Sequence, residues 1–346
     1  GTLPNLARLR EQGAMAQYAL SVDPPLTAPA HASLASGAYP ATTGVVADRY
    51  HRADDDLDRP VDALLQSPLD VEPIWRTAMR EARRTAVVFW PGTSLDLPST
   101  RADYTVTYGA TDAAAAQHQV SLTEARYWAG APSSFSPQRE GSLTITKDGF
   151  PLVHLHLLAV DTTDDGQENY DTFILDRTRQ VTASSARLRL GETAPLVVDE
   201  MLTSGAYFTL TQVEADQVTL YQGPVCYNQA QPDELVRQIN QRFGFYPAGP
   251  DGQALQRGWI TPGQYAEMAE IQSRWMMSVT TFVLETYKPE LLFAWQGVAD
   301  ALPRQFLLVD AGQPGHSTEK AAEYEDYLRR GYALADEAVG RLAAAL

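Results

Sequence analysis

Thr85-Ala86-Val87-Val88-Phe89 is an uncharged run rich in β-branched residues. That is the pattern of a strand buried on both faces of a parallel sheet. Residues 72–83, just ahead of it, read as a helix. The same helix-then-strand order returns at 265–287 and 290–295, where Glu290-Leu291-Leu292-Phe293-Ala294-Trp295 is the second buried run. Thr261-Pro262-Gly263-Gln264 supplies a start signal for the second helix, a capping box with proline at the first helical position. A shorter helix is predicted over 3–13, with Pro4 in its first turn and Gly13 as its stop. A long one is predicted over 319–344. Helices alternating with apolar strands predict an α/β fold with a mostly parallel sheet between helices.

The middle of the chain has a different rhythm. Short β-type runs occupy 143–146, 152–160, 170–175, 186–190, 206–213 and 217–222, several alternating apolar with polar residues. Turn signals such as Lys147-Asp148-Gly149 and Asp164-Asp165-Gly166 separate them. This predicts an antiparallel β insertion over 139–225, dividing the α/β core into a first part, 1–138, and a second part, 226–346.

With 346 residues, 44% of them hydrophobic, the chain has enough apolar material for a sizeable core, which excludes a largely disordered protein. No apolar stretch reaches the roughly 18 residues of a membrane span. Lys and Arg number 27 against 43 Asp and Glu, for a net charge of −16, with no basic patch. Sequence-independent nucleic-acid binding needs a cationic footprint and is set aside. The single cysteine, Cys226, excludes an internal disulfide framework and any CxxC site; it reads as structural. The chain opens Gly1-Thr2-Leu3-Pro4 without an initiator methionine. The expectation is a processed, engineered or incompletely represented chain, and an exported or periplasmic protein fits a processed start.

Chemistry concentrates between Pro25 and Pro40. There Thr27 precedes a helix with Pro29 in its first turn, followed by His31. That arrangement aims unpaired backbone N–H groups and the positive end of the helix dipole at whatever sits on Thr27. Two readings follow from the residues: Thr27 as a simple helix cap, or Thr27 as a hydroxyl whose alkoxide or phosphoryl ester is stabilised there.

Leu3-Pro4-Asn5-Leu6 with the helix after it, and then Thr27-Ala28-Pro29-Ala30-His31 through Gly37-Ala38-Tyr39-Pro40 and Gly44-Val45-Val46, match a known pattern in residue type and spacing. This segment, residues 3–51, resembles the type I phosphodiesterase/nucleotide pyrophosphatase family of the alkaline phosphatase superfamily. Trp90-Pro91-Gly92, the 290–295 strand with Asp300 beyond it, and the 305–317 segment add to the resemblance. It implies an alkaline-phosphatase-like, mostly parallel sheet sandwiched by helices. It also implies hydrolysis of a small phosphoester or nucleotide-like substrate at a site with two zinc-like divalent metals. Carried over residue by residue, Thr27 is the catalytic nucleophile and a metal contact, and Asp300 is a metal ligand.

Two matched positions depart from the family. The ligand histidine expected four residues after Asp300 is Arg304, a permanent cation that does not ligate metals. The substrate-binding asparagine expected at the phosphoryl group is Asp48, whose charge repels that group unless it is protonated or metal-bound. The family's first-strand aspartate and its later Ser-Asp-His-Gly segment fall outside the chain. The expectation is therefore an impaired site, and the resemblance leaves open that this chain binds no metal. The alternative is a non-catalytic, phosphodiesterase-like binding or interaction protein whose β insertion or cleft recognises a partner, with a protein partner held through the β insertion.

Other residues keep two readings each. His154 and His156 share one strand face, for packing or for a metal. His316 and His51 are loop histidines, with His51 close enough in sequence to Asp48 to line the cleft. Trp275, Met276 and Met277 read as core. Phe243, Phe245 and Tyr246 are loop packing or leaving-group contacts. The acidic run 54–58 reads as a solvated loop or a calcium site without the EF-hand spacing.

Overall fold

The computed structural model describes residues 3–52 and 55–346. The chain divides into two compact units. One comprises Gly1–Tyr108, Gln229–Phe243 and Ser273–Leu346; the other comprises Gly109–Asn228 and Gly244–Gln272.

In the first unit the strand Thr85–Val88 is buried along its whole length. It lies between Tyr104–Val106 and Leu291–Ala294 and runs parallel to both. Ala230–Gln231 adds an antiparallel strand beyond Tyr104–Val106. The helix ahead of the central strand is Ile74–Arg80, shorter than the predicted 72–83, because Pro73 sits at its N-cap and Ala82 has left helical space with φ 55°. Its Trp75 is 1% exposed and packs with Ala35, Val87 and Ala102. The indole N–H donates to the Thr100 carbonyl at 3.1 Å, so no polar atom of this large side chain is left unpaired.

The predicted terminal helices form as Pro4–Gln12 and Thr318–Ala345. Asp336, buried on the second, accepts the backbone N–H of Leu6 at 2.8 Å and the Asn5 side-chain amide at 2.9 Å. A carboxylate at this helix N-terminus satisfies donors that the helix itself cannot.

The second unit is built of two antiparallel sheets. One has the order Ala186–Leu188, Thr172–Asp176, Phe150–Val160, Arg139–Lys147, Thr123–Glu124. The other runs Ala110–Ala113, Val225–Tyr227, Ser204–Val213, Gln217–Gln222, Ala116–Ser121, with Thr193–Asp199 also paired to Ser204–Val213. Alternate residues of both sheets, such as Leu155, Leu157 and Phe173 from one and Phe208, Leu210 and Leu220 from the other, share one core. The hairpin at Lys147 turns through Asp148 and Gly149, both at positive φ, as the Asp-Gly pair predicts. Phe245 and Tyr246 are buried against Gly205 and Gly109, where a Cβ would come within 2.4 Å and 2.3 Å of their rings. They are packing residues of this unit. Cys226 is buried, and burial pushes its thiol pKa up, which fits the structural reading.

The mixed α/β class is as predicted. Parallel pairing is narrower than expected: among the described residues it joins the three strands Tyr104–Val106, Thr85–Val88 and Leu291–Ala294 and, apart from them, the isolated bridge Ala129–Gln180, and the sheets taken together are mostly antiparallel. The reason is connection length. Most strands follow one another through short turns, which antiparallel pairing accepts and parallel pairing does not. Among the described residues no helix is long and apolar enough to cross a membrane. Asp54, first residue of the acidic run, lies outside the described residues. Asp55 and Asp56 accept backbone N–H groups of Arg52 and Asp58 in a local turn.

Candidate active site

The helix that begins the site is Thr27–Ser36. Leu26 is its N-cap, in extended conformation, and no side chain caps it there. Thr27 is thus the first helical residue and not the cap, and its hydroxyl makes no hydrogen bond among the described residues. Pro29 brings no N–H, and Ala30 N–H already reaches the Leu26 carbonyl at 3.1 Å. The donors left in the first turn are the Thr27 and Ala28 N–H groups, and of these the Ala28 N–H has a side-chain partner. It is taken by Asp48 Oδ1 at 2.7 Å.

Asp48 arrives there through packing of its own loop. Val45 is fully buried with Ala28, Ala32 and Ala63, which pins the loop on the helix. Ala63 N–H donates to the Asp48 carbonyl at 2.9 Å. The carboxylate therefore occupies the anion-binding end of the helix.

His31 lies one turn on. Its Nδ1 is 2.8 Å from the Thr27 carbonyl. Since a carbonyl only accepts, Nδ1 carries the hydrogen and Nε2 the lone pair in the neutral ring. Burial pushes the imidazole below its ordinary pKa, and this outweighs the opposing pull of the Thr27 carbonyl and of the Asp300 and Asp48 charges. His31 is neutral at pH 7 as a result. That Asp300 and Asp48 both act on it shows that the structure brings Thr27, His31, Asp48 and Asp300 into one neighbourhood.

Aromatic contacts tie this neighbourhood to the parallel sheet. The His31 ring meets Trp90 edge-on at 5.0 Å, Trp90 meets Phe293 at 5.0 Å, and Phe293 meets Trp75 at 5.1 Å. Trp90 lies two residues beyond the carboxyl end of the central strand, and Asp300 follows the carboxyl end of Leu291–Ala294. Carboxyl ends of parallel strands are where open α/β sheets place their ligands. The Trp90 indole nitrogen is buried without a hydrogen-bond partner among the described residues.

Asp300 stands in the first turn of the helix Val298–Phe306. Both its carboxylate oxygens are held by one Arg304 nitrogen, at 3.0 Å and 2.8 Å. The pair is solvent-exposed, with 56% and 68% of the two side chains accessible. Its effect on stability is small, but it places a cation on the one carboxylate available at the expected metal position. Among the described residues no group of three or more His, Cys, Asp or Glu is arranged to hold a metal ion. Thr27, Asp48 and Asp300 therefore do not by themselves fit a two-metal centre: one carboxylate is bound to an arginine and the other to a backbone amide.

The remaining candidates fall elsewhere. His51 is exposed, and His316 sits in the loop before Thr318–Ala345 with its N–H on the Gln313 carbonyl. Met276 and Met277 are buried, and the Trp275 indole donates to the Phe243 carbonyl at 3.0 Å, as core residues do. His31 and Trp90 were not singled out from sequence as site residues. The available signal was the four-residue spacing of Thr27 and His31 on one helix face.

The family model for type I phosphodiesterase / nucleotide pyrophosphatase matches residues 1–183. The chain belongs to this family. Its similarity to curated phosphodiesterases is local. Venom phosphodiesterase 2 and venom phosphodiesterase 1 of Crotalus adamanteus are each 28% identical over 98 residues. Venom phosphodiesterase CdcPDE of Crotalus durissus collilineatus matches to the same extent. The aligned stretch covers 28% of this chain and 12% of each venom protein. No solved structure matches the chain at comparable significance.

Proposed function

We propose that this member of the type I phosphodiesterase family retains the position of the family's nucleophile, Thr27, in a cleft that does not turn over phosphoesters with the residues it has. The observation that carries this reading is the Asp300–Arg304 pair, in which a cation sits on the carboxylate expected to ligate a metal. Asp48 works in the same direction, since its charge lies on the Ala28 N–H that a phosphoryl oxygen needs. A competent site would pair Thr27 with two zinc-like ions, which supply an activated alkoxide and a clamp on the phosphoryl oxygens. The described residues offer no donor set for either ion.

The arrangement expected around such a site is the alkaline-phosphatase-like one. The core segments 1–138 and 226–346 would carry the cleft, and 139–225 would be the insertion. The second reading is a phosphodiesterase-like protein that binds without cleaving. It is favoured by an apolar groove of about 480 Å³ on the Thr27 helix, lined by Leu20, Val22, Ala30, Ser33, Leu34 and Tyr39. A partner held through the β insertion belongs to this reading too.

The test is intact-mass spectrometry of the full chain quenched after incubation with bis(p-nitrophenyl) phosphate and zinc. The reading expects the unmodified mass for wild type and for Thr27→Ala alike. A nitrophenyl phosphate adduct on wild type that Thr27→Ala lacks overturns it.

A further inference from the structure

The strand Phe150–Val160 shows two different faces. Leu155 and Leu157 point into the shared core. His154 and His156, two residues apart, stand together on the opposite face, as strand alternation requires. Their rings meet edge-on with centroids 4.8 Å apart.

Each imidazole is placed for more than packing. His154 is exposed, and its Nδ1 lies 3.0 Å from the hydroxyl of Thr144, its direct cross-strand neighbour. With Nδ1–H donating to that hydroxyl, Nε2 carries a free lone pair, the arrangement found behind metal-ligating histidines. His156 is half-buried, and its Nδ1 is shut off from solvent with no hydrogen-bond partner among the described residues. The nitrogen of His156 left for a ligand is therefore Nε2, which is not shut off in this way.

The nearby carboxylates are already committed. Asp176, the cross-strand neighbour of His156, holds the Thr178 backbone N–H at 2.7 Å and hydroxyl at 3.0 Å on one oxygen, and the Ser185 hydroxyl at 2.7 Å on the other. Glu140 holds the Trp128 indole at 2.8 Å and the Arg179 guanidinium at 2.9 Å. The donors on offer are two imidazoles, with water for the remaining positions.

We propose that His154 and His156 form a two-imidazole site for a borderline divalent transition metal, taking Cu²⁺ more tightly than Ni²⁺ or Zn²⁺. Imidazole suits these ions, Cu²⁺ heads their affinity order, and its square-planar preference accepts two adjacent nitrogens plus water. The net charge of −16 attracts cations at long range, against the nearby positive charge of Arg179. The site is independent of the Thr27 cleft.

The experiment is a Cu²⁺ titration of the full chain, followed by calorimetry and by electron paramagnetic resonance. Wild type is expected to show one tight site with coupling to two imidazole nitrogens. His154→Ala and His156→Ala are each expected to reduce the coupling to one nitrogen. Loss of the second arm is expected to weaken binding by about 100-fold, the advantage of two linked donors over one. His154 is exposed, so His154→Ala keeps the fold and decides the matter should His156→Ala unfold. A wild-type isotherm and two-nitrogen spectrum in His154→Ala would overturn the proposal, as would a wild-type spectrum with a single nitrogen.

Discussion

Asp48 Oδ1 accepts the Ala28 backbone N–H at 2.7 Å, which puts a carboxylate on the first turn of the helix that Thr27 opens. An internal anion thus holds one of the donors through which this helix would receive an external one. Asp48→Asn removes the charge and keeps an acceptor of the same shape. Inorganic phosphate should then bind at least about fivefold more tightly, because two unit charges about 4 Å apart repel by about 1 kcal/mol even in bulk water. Calorimetric titration of the two proteins checks this. Equal affinities would mean that the Ala28 N–H does not face the anion path.

Arg304→Ala separates charge from stability. The pair it breaks is exposed, so the variant should unfold within about 1 kcal/mol of wild type. Urea denaturation measures this. A larger loss would show that Arg304 supports the helix Val298–Phe306 by packing and not only by its bond to Asp300.

His31 gives the fold a pH dependence of known sign. Burial lowers its folded pKa, so the unfolded chain binds more protons in the window below the ordinary histidine value of about 6.5. The contribution is present above that value and is lost as pH falls through the folded pKa. Urea midpoints from neutral pH downward should fall more steeply for wild type than for His31→Gln. Parallel curves would remove His31 as the source.

The capping box at Thr261 forms with both of its bonds. Thr261 N–H reaches the Gln264 side-chain oxygen at 2.8 Å, and Gln264 N–H reaches the Thr261 hydroxyl at 3.2 Å. Thr261→Ala should cost about 1 kcal/mol, read as a shift in denaturation midpoint. No shift would mean that the long helix Pro262–Tyr287 is set by its packing alone.

What could be read from sequence was local. The Thr261 box, the Asp148-Gly149 turn and the uncharged Thr85–Phe89 run each carry their signal within a few residues, and each appears where expected. The strand Ala116–Ser121 does not announce itself, because His118, Gln117 and Gln119 give it no apolar run; its identity comes from pairing with Gln217–Gln222. Glycine signals were also ambiguous. Gly205 and Gly109 leave room for Phe245 and Tyr246, which are distant in sequence, so their packing role becomes visible only in the fold. At the site, Thr27 and Asp300 stood out through the family motif. The Asp300–Arg304 pair follows from their four-residue spacing on a helix. The Asp48 bond to Ala28 does not follow from spacing, because the loop between them is placed by the burial of Val45.

The proposal that the Thr27 cleft does not activate its hydroxyl is tested most directly by the steady-state hydrolysis of bis(p-nitrophenyl) phosphate by the full chain across a zinc titration, beside Thr27→Ala. The account predicts equal rates for the two proteins at every zinc concentration. Zinc-dependent turnover by wild type that disappears in Thr27→Ala would contradict it.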